Sequence, residues 1–403
     1  MVVLENAKEA LTLNGARAKD GRKLGPEDLG VQRDISIVID SQKKIEWVGP
    51  ANKLPKTFSN SKKIDVSQYI ITPEVVDSHT HLVFGGNRSF EYEMRLNGAD
   101  YQEIAKAGGG ILCTMDKTLN TPKEELLEKA RHRISTIASY GIRTIEIKSG
   151  YALTLEKEQE LTEIIQQLKS EFSPDIQIFN TMLAAHAVPK GKTSKQYLDE
   201  VVLPLVERNI GIIDAVDIFH EQGYFNDQDL LKLFDFCKAN SIPTKLHADE
   251  FNDNKGAVFA AKYGSLSADH LLATTKDGVQ ALANSSTIAT LLPGTAFFLA
   301  KPLANARAFL DAGCKVALAS DYNPGSCHCD NLILIASMAA KNLGMNHCEL
   351  WAAITLNAAA ALGRTDQGSI EVGQKARFSF FETGSYTDIF YSWGKNFSVD
   401  VTF

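Results

Sequence analysis

Nowhere does this chain carry the run of ~18 apolar residues that a helix needs to span a bilayer. The stretch from Met1 to Lys23 mixes charge among its apolar residues and lacks the continuous apolar segment of a secretory signal. Basic charge does not dominate either. With 42 Lys+Arg against 49 Asp+Glu the formal net charge is -7, which argues against nucleic acid as the main partner. The pairs Lys43-Lys44 and Lys62-Lys63 are short and read as solvated loop or strand edges. Cysteine is scarce: six in 403 residues do not make a disulfide framework. Cys327-His328-Cys329 lacks a second cysteine pair at metal-site spacing, so thiols packed in or near a loop are the expectation for all six. Solenoid repeats and low-complexity segments are missing as well. A cytoplasmic enzyme is the default expectation, with neither nucleic acid nor a membrane as partner.

The hydrophobic fraction of 44% and charged fraction of 23% are ordinary for a globular chain, and the length allows one large domain and a smaller one. Residues 1–72 alternate apolar and polar positions in short runs, such as Ile35-Ser36-Ile37-Val38-Ile39 and Ile45-Glu46-Trp47-Val48. Asn14-Gly15 and Gly49-Pro50 break these runs, which predicts a small antiparallel sheet. From 73 to 362 the texture changes to apolar strand-like runs separated by longer helical patterns. Arg143–Lys148, Gln177–Met182, Ala215–Phe219, Pro243–His247, Leu266–His270, Thr287–Leu292 and Lys315–Asp321 follow the run Ile70–Val76, read as one buried strand. About eight such units predict an α/β fold, a (β/α)₈ TIM barrel. From Ile370 onward alternation returns (Ala376–Phe381), so residues 363–403 are expected to rejoin 1–72 in a small β-sandwich domain.

The chemistry starts at His79-Thr80-His81. On an extended chain alternate side chains share a face, so both imidazoles point the same way. In a barrel, strand C-terminal ends build the active site. His186, His247 and His270 also end strand-like runs, and Asp321 ends the last one. Five of the chain's nine histidines at such positions make a coincidence of core residues a poor explanation. The expected site is mononuclear, with His79, His81, His247 and Asp321 as ligands and water at an open position. Zinc-like ions lower the pKa of such water from about 15.7 to roughly 7.

At these residues the chain resembles the amidohydrolase superfamily. Within it the chain is similar, over nearly its whole length, to the imidazolonepropionase family. The resembling segments are His79–Arg88, Ala107–Ile111, Glu146–Tyr151, Ala185–Pro189, Lys245–Phe251, Ser267–Leu271, Leu292–Gly294 and Ala319–Ser326. The resemblance implies water-driven ring opening of 4-imidazolone-5-propanoate to N-formimidoyl-glutamate in histidine breakdown. It implies one divalent metal ion per chain, zinc or iron, and a homodimer. Arg88 is implied as the receptor of the propanoate carboxylate, with Tyr151, His186, Glu250, Asn323, Gly325 and Ser326 as further substrate contacts. Glu250, His270 and Asp321 are the implied catalytic groups: Asp321 or Glu250 for the water's proton, His270 for the oxyanion, Glu250 for the leaving nitrogen. Gly108-Gly109-Gly110 has no Lys-Ser/Thr after it and reads as a loop near the site, not a phosphate cradle. Asp249 reads either as an orienting group or as a partner of local backbone.

Four positions depart from the family pattern. Glu74 and Ala152 stand where Gly is usual, His220 where Cys is common, and Arg377 where Asp is usual. Lysine suited to a carbamate bridge between two metals is not evident. Two competing readings are another cyclic amidohydrolase or base deaminase, for which Arg88 has no use, and a metal-binding barrel without turnover. An acid–base set beside the ligands speaks against the latter, because structural metal sites are closed.

Overall fold

The computed structural model describes residues 1–99 and 101–403. Eight parallel strands follow one another in chain order: β1 (Val75–Asp77), β2 (Ile142–Lys148), β3 (Gln177–Ala185), β4 (Ala215–His220), β5 (Lys245–Ala248), β6 (Ser267–His270), β7 (Ile288–Leu291) and β8 (Val316–Leu318). Just beyond β1 and β8, Thr80 and Tyr322 form a parallel bridge that joins the two ends. There Asp321 N–H donates to the His79 carbonyl and His81 N–H to the Tyr322 carbonyl, each at 2.9 Å.

Helices between the strands cover the barrel, and their local sequence explains their limits. Leu155–Phe172 starts where the Thr154 hydroxyl accepts from Lys157 N–H and buries Leu161, Ile164, Ile165 and Leu168, a stripe at helical spacing. Asp227–Ala239 starts in a capping box in which Asn226 and Asp229 satisfy each other's backbone. Among the described residues no helix is long and apolar enough to cross a membrane.

Both chain ends meet in a separate seven-stranded sheet. The sequence predicts it antiparallel; it is mixed. Val2–Leu11 runs antiparallel to Val31–Ile39 but parallel to Lys62–Asp65 and then to Ile70–Pro73. Phe378–Phe381 pairs antiparallel with Ile70–Pro73, and Ser398–Val399 adds to its edge. The sheet holds its own apolar core, including Leu4, Ile35, Ile37, Ile71, Phe378 and Phe380. The run Ile70–Val76, expected as a single strand, is split. Ile70–Pro73 belongs to the small sheet and Val75–Asp77 to the barrel. Between them the Glu74 backbone N–H donates to the Arg377 carbonyl, one step beyond the Pro73–Phe378 pair of the small sheet.

Where many barrels stack Val, Ile and Leu inside, this one buries charge. Glu146 and Lys148 on β2, Asp217 on β4, Lys245 on β5 and Asp269 on β6 are all buried. Lys148 Nζ lies 2.7 Å from Asp217 Oδ2, 3.0 Å from Glu146 Oε2 and 3.7 Å from Asp269 Oδ2. Lys245 Nζ lies 2.9 Å from Glu146 Oε2 and donates to the Ser78 carbonyl at 2.8 Å. Two ammonium groups among three carboxylates make a paired polar floor, which is how buried charge is tolerated.

Candidate active site

On that floor stand the histidines. His79 and His81 follow β1 in extended backbone and do share a face: their Nε2 atoms are 3.2 Å apart. Asp321 Oδ1 is 3.4 Å from each of those nitrogens. His247, on β5, brings its ring to 4.6 Å from His79 and 5.5 Å from His81, centroid to centroid. Two carboxylates of the floor set which ring nitrogen faces the site. Asp269 Oδ2 bonds His79 Nδ1 at 2.7 Å, and Asp217 Oδ2 lies 3.0 Å from His247 Nδ1. A carboxylate at Nδ1 turns the Nε2 edge of its ring toward the site.

These donors fit a divalent cation. His79, His81 and Asp321 offer ligand atoms within 4.8 Å of one another, as do His79, His247 and His270 and also His81, His186 and His247. His247 Nε2 is buried and has no hydrogen-bond partner, a deficit that ligation removes. Imidazole and carboxylate are a borderline donor set suited to zinc and neighbouring ions. Of the four residues expected as ligands, His79, His81 and Asp321 form one such group, and the His247 ring lies against both histidines of it.

Electrostatics sorts the remaining groups by charge. Burial and Lys148 press the His79 ring toward neutrality, but its bonds to Asp269 and Asp321 outweigh them and carry it up to about 9. Burial holds His247 down at about 4 and keeps His186 and His270 well below the ordinary imidazole range, so these three rings are neutral at pH 7. Asp321 resists burial because the His79 and His81 bonds hold its carboxyl well below the usual range. Glu250 goes the other way. Burial, reinforced by the charges of Asp321 and Glu221, pushes it up to about 8, with its Oε2 3.7 Å from His270 Nε2.

Backbone conformation aims two of these side chains. Asp269 points into the barrel, so His270 as the next residue of a regular strand would point out of it. Instead His270 has φ +78°, a left-handed conformation that costs a non-glycine residue energy and that clusters at functional sites. The turn brings its ring to 5.1 Å from His247. Asp321 has φ +52° and is steadied by the Thr295 hydroxyl, which donates to Oδ2 at 2.6 Å.

Tyr151 and His186 form the wall beside His81. The His186 ring stacks on His81 at 5.1 Å and 15°, and Tyr151 lies 5.5 Å from His186. Glu158, buried, accepts backbone N–H groups of Gly150, Ala152 and Leu153 and so fixes the turn that carries Tyr151. Ala152, where Gly is usual, fits because Leu153 takes the left-handed position in this turn.

Arg88 meets the loop after β8. A side chain on Gly325 would put its Cβ 1.7 Å from Arg88 Nη1, so the arginine and this loop are in close contact only because residue 325 is glycine. Asn323, expected as a substrate contact, lies in this loop. Its Oδ1 accepts from Gly325 N–H and Ser326 N–H at 2.8 Å each, and its Nδ2 donates to the Asp321 carbonyl and Ser326 Oγ. The side chain is engaged in holding its own loop. Asp249 likewise serves backbone: it accepts from Asn254, Gly256 and Ala257 N–H groups and from Thr274 Oγ1. The Cys327-His328-Cys329 segment holds no metal-site arrangement; His328 stacks on Tyr322 at 5.2 Å, and all six thiols are free.

Asp217, Asp269, Glu146, Lys148, Lys245 and Glu91 are functional groups that reading the chain missed. A signal existed for Glu91 on its helix and for three of the strand residues. Charged residues two apart within strand-like runs (Glu146 and Lys148) or two before a candidate ligand (Lys245 and His247) mark an inward-facing, polar barrel lining.

Residues 70–403 match the sequence model of the Amidohydrolase family. An imidazolonepropionase of Geobacillus kaustophilus (strain HTA426) is 39% identical over 404 residues, covering 98% of this chain and 94% of the relative. One from Brucella abortus (strain S19) is 38% identical over 378 residues, covering 92% of each chain. Among solved structures, atrazine chlorohydrolase TrzN from Arthrobacter aurescens TC1, complexed with zinc, superposes with a TM-score of 0.70 at 16% identity, over 96% of this chain and 88% of that one. An adenosine deaminase from Xanthomonas campestris with bound zinc gives 0.71 at 15%, over 98% and 90%. At such identities the two structures speak for the fold alone.

Proposed function

The chain belongs to the amidohydrolase family and, within it, to the imidazolonepropionases, and we propose how its residues open the ring of 4-imidazolone-5-propanoate. It is a hydrolase that cleaves a cyclic amide C–N bond and yields N-formimidoyl-glutamate in histidine degradation. His79, His81, His247 and Asp321 hold one divalent ion, zinc or iron. The chemistry a cation supplies there when bound is Lewis-acid activation of the attacking water.

The protein's own groups divide the proton work by environment. Asp321, kept ionised by the His79 and His81 bonds, accepts the water's proton as its oxygen attacks the ring carbonyl. Glu250, its carboxyl pushed up by burial, donates in its protonated form to the ring nitrogen as the C–N bond breaks. His270 lies beside both and, as a neutral ring with one N–H, donates to the developing oxyanion. His186 and Tyr151 flank the ring. Arg88, with Ser326 and Gly325 beside it, takes the propanoate carboxylate.

One observation supports this division best: two carboxyl groups share one site, and their surroundings push their pKa values apart. The test is to mix the protein with freshly made imidazolone propanoate and follow the ring's ultraviolet absorbance. The run is repeated after chelation and after zinc or iron is restored. Rapid loss of absorbance that stops with chelation and returns with metal is the expected result. A folded, metal-loaded sample without turnover would overturn the assignment.

A further inference from the structure

Glu91 lies one helical turn after Arg88 on Ser89–Leu96 and is only 2% exposed, a rare position for a carboxylate without a task. Its Oε1 accepts from Arg88 Nε at 2.7 Å and its Oε2 from Arg88 Nη2 at 2.7 Å. Oε1 also accepts the backbone N–H of Gly110 at 2.9 Å, the residue that opens the helix Ile111–Leu119. From the other side Gly325 presses against Nη1. Three segments far apart in sequence therefore converge on one guanidinium: the helix after β1, the Gly108–Gly110 turn and the loop after β8.

A guanidinium has five N–H donors. Glu91 engages the Nε–Nη2 edge in a bidentate pair, so the donors that remain lie on the Nη1–Nη2 edge. A free arginine swings through many rotamers and meets carboxylates over a range of distances. This one is held along one edge by the bidentate pair with Glu91 and meets Gly325 at Nη1.

We infer that Glu91 is the positioning residue of the carboxylate clamp. It presents one edge of Arg88 to the substrate, selects an acid tail of one length, and fastens the Gly108–Gly110 turn to the clamp. The inference rests on Arg88 being the carboxylate receptor. Locking of this kind matters because a misplacement of about 1 Å costs up to ~100-fold in rate.

The test is E91Q, which keeps shape but weakens the bidentate pair, run beside E91D, which keeps charge but withdraws it by one methylene. Each is assayed on the propanoate substrate and on an imidazolone whose acid tail is one methylene shorter. KM for the propanoate is expected to rise about tenfold or more with kcat within about threefold, and the preference for propanoate over the shorter tail is expected to shrink. R88A is the reference, and R88A/E91Q should be no worse than R88A. A merely structural Glu91 would lower the active fraction and leave KM and the tail preference where they were. If R88A raises KM while whichever Glu91 variant folds keeps KM and tail preference, the inference fails and the clamp survives. If R88A leaves KM unchanged, the clamp itself fails, and the inference with it.

Discussion

The guanidinium of Arg377 is the counter-ion of the Glu74 carboxylate. Arg377 Nε donates to Glu74 Oε2, while Oε1 accepts from Gln367 Nε2 at 2.5 Å and from Thr144 Oγ1 at 3.1 Å. Arg377 Nη2 also donates to the Arg143 carbonyl at 2.9 Å. Each of the two is a departure from the family pattern, and each supplies the charge the other lacks. Together they bridge the small sheet, the entry to β1 and β2.

The first prediction concerns that bridge. R377A leaves Glu74 buried without a counter-ion and should cost about 3–5 kcal/mol of stability, measured by urea denaturation. E74G/R377A removes both charges and should recover part of that loss. A single variant as stable as the parent would show that the pair contributes nothing.

Glu250 is predicted to be the proton donor. E250Q keeps size and polarity but has no proton to give. Its kcat should fall about 10²–10⁴-fold while metal content and the melting profile stay at parent values. Turnover near that of the parent would remove Glu250 from the mechanism.

The pH profile follows from the same group. Glu250 works in its protonated form, and burial with Asp321 and Glu221 nearby places its pKa at about 8. A bound cation pulls that value down. As pH rises through a pKa at or below about 8 the donor is lost, so kcat/KM should fall about tenfold per unit on that limb. E250Q should show no such limb. A parent profile that rises through this range would assign Glu250 to the base role instead.

Asp269 is predicted to govern metal affinity through His79. D269N weakens the bond that turns the His79 Nε2 lone pair toward the site. A second ligand-orienting group of this kind is worth about 10–100-fold in affinity. Competition with a chelator should show that loss, with KM for the substrate unchanged once metal is saturating. Affinity equal to the parent would show that His79 needs no such partner.

The barrel and the histidines at its strand ends were legible because both rest on local pattern. Strand-like runs separated by helical patterns give the eight units, and a histidine at the end of a run is visible one residue at a time. How the floor residues pair was not legible. Glu146 and Lys245 are 99 residues apart, and their meeting depends on which strands become neighbours. The same applies to Glu74 with Arg377 and to the parallel pairs of the small sheet, whose partners no local alternation specifies. Glu91 was within reach, since an acid three residues after an arginine on a helix shares its face. Asn323 shows the reverse limit. A polar residue beside a proposed ligand reads as a contact, and only the geometry of its loop reveals that it holds backbone as well.

The joint between β1 and β8 has a consequence for how the protein is made. The backbone groups that join the barrel's ends belong to His79, His81, Asp321 and Tyr322, and three of these four also carry the proposed metal ligands. Chain segments about 240 positions apart must meet before either the ring or the ligand cluster exists, and contacts of such long range form late because the loop entropy comes first. A nascent or truncated chain that lacks β8 thus has no complete place to capture an ion. Cation uptake during refolding therefore serves as a clock for the last step of assembly.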